Sequence, residues 1–444
     1  MDGPDPSLGP TAPVPTPHKV FAQAEAEMRQ NLIGEAARNY AIAATQGHVL
    51  AQVALARMYS KGLGVEQSYR SAFKWYVKAG FVGHAMAQFN VGYFYEHGNA
   101  VTVDLAEAEK WYRKAAENGL PNAQYRLAVL LSSADPNSTE AFDFALAAAV
   151  QQFPLAYGIL ASFYHHGRGI ERNSSQALKW CKLGLRNSES AEMLFLLGSI
   201  YDSHSDIRDE EAAFEAWMKA AHMDHPEAAY GVGCYHYHGH AGLDVDYSEA
   251  LYWYSAAVRH GFVKAKFCIP YCHYNLEDYG VSFTMFLGDV QGGNTSSNVG
   301  LGHSYYYGRG TDQDIAAAVH CYLALAPDDQ TPEVKTNLGK VFLDGAGGLD
   351  KDPAKALALF IESSDQGDAS GMYYRGYCIE EGLGCDASTN LAIPWYEQAY
   401  LRHNPLAQDA LLRLDRFSCS VVFPEPTLNS TGAQPEEYVF EDDE

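Results

Sequence analysis

The chain has 444 residues, 47% of them hydrophobic, and a formal net charge of −24. That length exceeds one compact core of ordinary size and that apolar content excludes wholesale disorder, leaving two or three globular domains or one elongated repeat array. The acidic balance excludes the clustered Lys and Arg that nucleic acid demands and argues against docking on anionic lipid.

Residues 1–18 are rich in proline, and the run Pro10 to Pro17 reads as a disordered extension in preference to a polyproline ligand. They carry no basic region followed by an apolar run, so no secretory leader is read. Residues 19–46 are expected to form a helical half-unit or cap at the start of a repeat region spanning 19–260. Six tryptophans then set a period: Trp75, Trp111, Trp180, Trp217, Trp253 and Trp395 recur at spacings near 36 residues or its multiples. Four are followed by an aromatic, at Tyr76, Tyr112, Tyr254 and Tyr396.

A second ladder runs upstream in phase: a small residue, an aromatic three places on, a glycine six places on. Ala56/Tyr59/Gly62, Gly92/Tyr95/Gly98, Ala161/Tyr164/Gly167, Gly302/Tyr305/Gly308 and Gly339/Phe342/Gly345 all fit it. The first two share a helical face, so a first helix packs closely through its small side chain, and the glycine closes that helix. A second helix carries the tryptophan and an Ala-Ala or Lys-Ala pair such as Ala115-Ala116 or Lys78-Ala79. One such hairpin cannot bury its own apolar face, whereas stacked hairpins can.

Units fall near 47–82, 83–118, 119–152, 153–187, 188–223, 224–260, 261–293, 294–329, 330–366 and 367–403. The third has no glycine turn (Ser132 to Asp135). The seventh puts Pro270 at the usual Gly/Ala position and Phe286 near the usual tryptophan. Proline inside a helix costs roughly 3 kcal/mol, so a kink is expected, making 261–293 a degenerate repeat and a bend. Repeats resume over 294–417, closed by a helix at Pro405 to Arg416, and 418–444 is an acidic flexible tail. There Glu436, Glu437, Glu441, Asp442, Asp443 and Glu444 flank Tyr438 and Phe440, with a docking peptide as the alternative reading. The most apolar long window, Phe142 to Tyr164, is broken by Asp143, Gln151, Gln152 and Pro154, so no membrane insertion is expected.

The pattern, roughly A-x-x-x-L-G-x-x-Y-x-x-G-x-G then A-x-x-W-Y-x-x-A-A, resembles the Sel1-like repeat family over about residues 46 to 403. The resemblance implies an all-α fold, a right-handed α/α superhelical solenoid of about ten helix-turn-helix repeats related to tetratricopeptide arrays. It also implies that first helices line a face where partner segments dock. Positions between the framework residues of those helices would then be the readout: Asn90, Tyr93, Arg126, Tyr235, His238, Tyr271, Tyr306, Asn337, Lys340, Tyr374 and Tyr377. Tyrosine suits such a surface by adding contact area at low entropic cost. Inter-repeat packing is the competing explanation for half of them.

Catalytic and metal chemistry find little support. No G-x-x-x-x-G-K-S/T loop, G-x-S-x-G elbow or H-E-x-x-H occurs, and glycine runs that recur at one structural position are caps. Cys234, His236, Cys272 and His273, with His238, His240 and Cys268 nearby, are the ligand types of a zinc site. The alternative places His236 and His273 at the repeat's core tyrosine with the cysteines as small filler, and no C-x-x-C pair opposes it. No metal and no cofactor are expected. Cys378 and Cys385 resemble the paired cysteines of secreted bacterial members of the family, but a single pair with a different gap reads as reduced thiols. The N-x-S/T triplets at Asn137, Asn173, Asn294 and Asn429 read as helix starts and turns, not glycan acceptors. The expectation is a cytoplasmic, non-enzymatic scaffold or adaptor holding other proteins or peptide segments. The alternative is an endoplasmic-reticulum degradation adaptor that recruits substrates to a membrane ubiquitin ligase from the lumen.

Overall fold

The computed structural model describes residues 16–203 and 206–414; Asn429, Tyr438, Phe440 and the rest of both chain ends lie outside the described residues. All secondary structure among the described residues is helical. The chain divides into two compact units, 1–216 and 217–444.

In the first unit α1 (Pro17–Arg29) pairs with α2 (Ile33–Thr45), α3 (Val49–Lys61) with α4 (Tyr69–Phe81), and α5 (Ala85–His97) with α6 (Leu105–Glu117). Next come α7 (Pro121–Ala134) with α8 (Thr139–Val150), and α9 (Pro154–His166) with α10 (Ser174–Asn187). They are followed by α11 (Ala191–Asp202) and α12 (Glu210–His222), and the boundary falls within α12. In the second unit α13 (Pro226–His238) pairs with α14 (Tyr247–Arg259). A 3-10 segment, Val263–Phe267, leads into α15 (Ile269–Asn275), which packs on α16 (Tyr279–Gln291). The pairs α17 (Asn298–Tyr307) with α18 (Ile315–Leu323), α19 (Pro332–Asp344) with α20 (Pro353–Asp365), and α21 (Ala369–Glu381) with α22 (Thr389–Leu401) follow, and α23 (Pro405–Arg413) packs on α22. Each unit is a stack of hairpins, an all-α solenoid with its core between successive helix layers.

The local causes repeat as the sequence does. Second helices start on Ser68, Asp104, Asn173, Asp246, Asp314 or Asp352, whose side-chain oxygens accept a backbone N–H of the first turn, as Ala317 N does to Asp314 Oδ1 at 2.9 Å. Three first helices start on an imidazole instead: His48, His84 and His225 accept from the third residue of the helix through Nδ1. First helices close on a left-handed glycine such as Gly308 (φ 67). The second glycine of the turn answers a different demand, because a Cβ on Gly310 would lie 2.0 Å from the Tyr279 carbonyl oxygen. The hairpin of α7 and α8 closes without glycine: Asp135, in extended conformation, ends α7 and accepts from Asn137 N.

Close packing through small residues is the core contact. A Cβ on Gly92, Gly233, Gly302, Gly339 or Gly376 would meet the ring of Tyr112, Tyr254, Tyr322, Phe360 or Tyr396 at 2.4–2.9 Å. The aromatic of each second helix therefore lies on bare backbone of its own first helix, and these rings are among the most buried side chains.

Three expectations need correction, and that for Phe286 is refined. Residues 19–46 belong to a complete hairpin, and Tyr40 hydrogen-bonds Glu25 across it. Pro270 is not inside a helix: the first helix of its unit is interrupted at Cys268, and the proline sits in the first turn of α15, where its missing N–H had no intrahelical partner. Phe286 stands one place after the tryptophan position, which Met285 holds when counted from the N-cap Asp278. The closing helix ends at Arg413.

Gly339→Val is expected to destabilise the chain by about 1–3 kcal/mol through overpacking against Phe360. Gly288→Ala in α16, where a Cβ meets nothing within 4 Å, is expected to stabilise by about 0.5–1 kcal/mol. Urea unfolding of the two variants checks both signs.

Candidate partner-binding surface

Successive first helices of the second unit carry one connected belt of polar and aromatic groups. It begins where Arg309, from the turn after α17, donates through Nη1 to Tyr274 Oη at 2.6 Å. The guanidinium also lies 5.1 Å from the Tyr307 ring centre and 5.3 Å from that of Tyr279. Tyr307 Oη donates to Glu333 Oε1 at 2.9 Å and accepts from Asn337 Nδ2 at 3.3 Å, joining α17 to α19. His303 Nδ1 is 4.0 Å from Glu333 Oε2. Lys340 Nζ sits 4.9 Å over the Tyr374 ring, joining α19 to α21, and Tyr374 stacks on Phe360. On α21, Arg375 lies 3.6 Å over Trp395 and pairs with Asp365 at 2.8 Å.

The belt arises from a local departure in the repeat. In α5 and α21 a glutamate two places before the capping glycine accepts from the second-helix tyrosine, Tyr112 Oη to Glu96 at 2.5 Å and Tyr396 Oη to Glu380 at 2.7 Å. In α17 that place holds Tyr306, and Tyr322 Oη is buried without a hydrogen bond. His303 Nε2 and Arg375 Nε share this condition. Buried polar groups of this kind carry a cost of about 1–3 kcal/mol each when left unsatisfied. The His303 imidazole first, then the Tyr307 hydroxyl, Lys340 and Arg309, hold the Glu333 carboxyl below its ordinary value against the opposing effect of burial. Burial lowers Lys340 below the ordinary lysine value, against the pull of Asp368 and Glu333, and pushes Tyr306 up to about 12, which keeps it neutral.

Of the residues singled out in sequence, Tyr306, Asn337, Lys340 and Tyr374 fall in or beside this belt, and Tyr377 lies parallel to Tyr373 on α21. Asn337 is 0% exposed, an internal anchor for Tyr307 and not a readout position. Tyr235 is 4% exposed and edge-on to Trp217, because it occupies the core place that Phe94 takes in α5. His238 rests on Tyr237, and Tyr271 packs edge-on to Phe286. Asn90, Tyr93 and Arg126 belong to the first unit: Asn90 bonds back to Met86 O, Tyr93 stacks on His97, and Arg126 lies 3.7 Å from Glu96. Sequence reasoning missed His303, Tyr307, Arg309 and Glu333. Arg309 lay hidden in a glycine turn and Glu333 in the acidic start of a helix, with no local signal that they meet.

The cysteine and histidine concentration resolves differently. Among the described residues no three His, Cys, Asp or Glu side chains gather to hold a metal ion. Cys234 and Cys268 instead line a cavity of about 50 Å³ with Tyr230, Tyr237, Tyr254 and Tyr271, and Tyr254 Oη lies 3.4 Å from Cys234 Sγ. Burial pushes Cys268 up to about 12 and Cys272 higher still, so both remain thiols. His236 lies on α13, where its carbonyl accepts from Asp246 N; His273 Nδ1 lies 3.2 Å from Asp278 Oδ2. The described cysteines, Cys378 and Cys385 among them, are free. Asn173 is a helix N-cap, its Oδ1 accepting from Gln176 N. Among the described residues no helix is long and apolar enough to cross a membrane.

Stacked glycine-closed hairpins bearing an extended first-helix belt define an interaction-type helical repeat protein. The chain belongs to the Sel1 repeat family: the family model matches residues 49–80, 85–120, 121–151, 154–187, 226–262, 295–326, 332–368 and 369–404. The two long internal stretches it leaves out, 188–225 and 263–294, contain α11 with α12 and the interrupted seventh unit, and its first match begins after α2. Among curated proteins, the chain is 26% identical over 207 residues to the chitin synthase regulator SKT5 of Saccharomyces cerevisiae, covering 43% of this chain and 30% of that one. It is 27% identical over 270 residues to chitin synthase regulatory factor 3 of Schizosaccharomyces pombe, covering 58% of this chain and 29% of that one. The chain thus spans under a third of the length of these relatives. Among solved structures, a protective antigen of uropathogenic Escherichia coli with a Sel1-like repeat fold superimposes with a TM-score of 0.67 at 21% identity, covering 92% of this chain and 89% of that one, and so shares the fold.

Tyr307→Phe removes the link between Glu333 and Asn337 and is expected to cost about 1–3 kcal/mol, read by urea unfolding. Glu333 is depressed in the folded state, so its contribution is present above the ordinary value of 4.5 and is lost as pH falls through the lower folded one. The stability difference between wild type and Glu333→Gln is therefore expected to shrink as pH is lowered below about 4.5.

Proposed function

We propose that this chain is a non-enzymatic regulatory adaptor that holds a segment of a partner protein along the belt from Tyr274 to Tyr374, and that it acts in the control of chitin synthase. The observation that carries the reading is the belt itself. Tyr274 of α15, Tyr307 of α17 and Tyr374 of α21 each have a cation over the ring, Arg309 for the first two and Lys340 of α19 for the third, so successive layers set aromatic and charged groups side by side. Tyrosine supplies contact area at low entropic cost, and the cations beside it offer donors to a partner's carbonyls and carboxylates. Lys340 supports the same reading: burial disfavours its charge, so an apolar residue would serve the fold better.

Chitin synthase enters through the names of the two curated relatives, both regulators of that enzyme. Those names support a regulatory adaptor and give no support to the degradation-adaptor alternative. Tyr306, Lys340, Tyr374 and Tyr377 are the proposed partner contacts of the second unit, flanked by His238 and Tyr271. Asn90, Tyr93 and Arg126 form a separate candidate patch on the first unit.

Immobilised full-length chain is expected to retain a chitin synthase, or one of its regulators, from detergent-solubilised fungal membranes. Lys340→Glu with Tyr374→Ala is expected to reduce retention at least about tenfold, the equivalent of 1.4 kcal/mol, while circular dichroism shows the helical content unchanged. Full retention by that variant would remove the belt from the function, and failure to retain any such protein would remove the chitin synthase assignment.

A further inference from the structure

Counted from the N-cap of its second helix, five of the six tryptophans lie seven residues in: Ser68 to Trp75, Asp104 to Trp111, Asn173 to Trp180, Asp246 to Trp253, Ser388 to Trp395; Trp217 lies eight after Asp209. Trp111 shows what that ring does. It is 6% exposed and fills the groove between α6 and the preceding second helix. A Cβ on Gly80 of α4 would lie 3.1 Å from it, with Gln88 of α5 on the same wall, Phe81 edge-on at 5.3 Å and Lys114 over its face at 4.4 Å.

In α18 the same count from Asp314 reaches Cys321. Counted back fourteen from the capping glycines Gly98 and Gly308, His84 and Asn294 are equivalent, and the residues matching Gly80 and Gln88 are then Val290 and Asn298, the latter being the first residue of α17 after its N-cap Ser297. Around them an open cleft of about 430 Å³ remains, lined by Val290, Asn294, Asn298, Leu301, Cys321 and Ala324 among others. That volume falls within the range of ligand pockets, about 300–1,000 Å³. Cys321 is 5% exposed, so the thiol sits in the wall and does not fill the space. The walls are mainly apolar, and water there gains little from them.

We infer that this cleft, between α16 and α18, is a pocket for an aromatic side chain, an indole above all, presented by a partner polypeptide. By repeat count the walls correspond to those that hold Trp111 of α6, so the groove is one the repeat builds around an indole. Because it is open along one side, a ring can enter it from a main chain passing across the mouth. The pocket shares no residue with the first-helix belt, so it stands whether or not that reading does.

The test is titration of N-acetyl-tryptophanamide into the full chain, followed by calorimetry or NMR. Binding is expected to be at least about tenfold tighter than that of N-acetyl-leucinamide. Cys321→Trp, which restores the repeat's own ring, is expected to abolish binding and raise Tm by about 2–4 °C. Cys321→Leu, copying Leu359 at the same count from Asp352 in α20, is expected to weaken binding with folding intact, and it serves if the tryptophan variant misfolds. Cys321→Ala is expected to bind as wild type does. A tryptophan flanked by glycines in a blocked pentapeptide is expected to bind at least as tightly as the amide; binding of the amide alone would overturn the polypeptide source. Absence of aromatic preference, undiminished binding by Cys321→Leu, or a folded Cys321→Trp with lowered Tm would each overturn the pocket.

Discussion

A tyrosine or phenylalanine ring from a second helix lies against a first helix at a glycine, so closely that a single Cβ would collide with it. Gly92 with Tyr112, Gly302 with Tyr322 and Gly339 with Phe360 are instances. This approach sets the distance between the two helices of each hairpin, and that distance sets which faces remain for the neighbouring hairpins. Everything placed on the outer edges of the first helices, and every groove between second helices, inherits its spacing from that contact. The turn enforces the same geometry, because the second glycine of G-x-G passes over the backbone of the preceding second helix with no room for a side chain, as at Gly310 over Tyr279.

Given a framework that repeats, the informative positions are those where it is interrupted. Where Glu96 and Glu380 close the hydroxyls of Tyr112 and Tyr396, Tyr306 stands in α17 and leaves the hydroxyl of Tyr322 buried without a hydrogen bond. Where Trp111 fills the groove between second helices, Cys321 leaves it open. Both departures fall in one repeat, the hairpin of α17 and α18, and they affect different faces of it. A repeat array keeps its fold through such losses because each hairpin is held by neighbours on both sides. It can therefore carry local deficits in stability that a single-core domain of the same size would tolerate less well.

The cysteine, histidine and tyrosine residues of α13 and α15 show how a chemically suggestive cluster becomes core. Cys234 and Cys268 line one cavity, yet they do so among four tyrosines, and burial there keeps Cys268 a neutral thiol. Ligand type and spacing are necessary for a metal site; a polar, convergent cavity is the further requirement, and this one is aromatic.

The sequence by itself determined the period, the hairpin, its glycine closure and the small-residue face, because each is a local property repeated many times and the copies reinforce one another. It placed Trp, Gly and Ala in register well enough to identify the family. Composition did not separate outward tyrosines from core ones; register did, since Tyr235 stands four places before its capping glycine, at the core place of Phe94, and Tyr306 two places before its own, beside the belt. The side of a helix that is buried depends on the neighbour's side chains as well as on its own phase. Nor could the sequence show that Arg309, Tyr307, Glu333 and Asn337 meet, or that Cys321 borders a cleft, since those contacts join residues tens of positions apart through helix packing. The hairpin was written in the chain; the belt and the cleft were decided by how unlike hairpins stack.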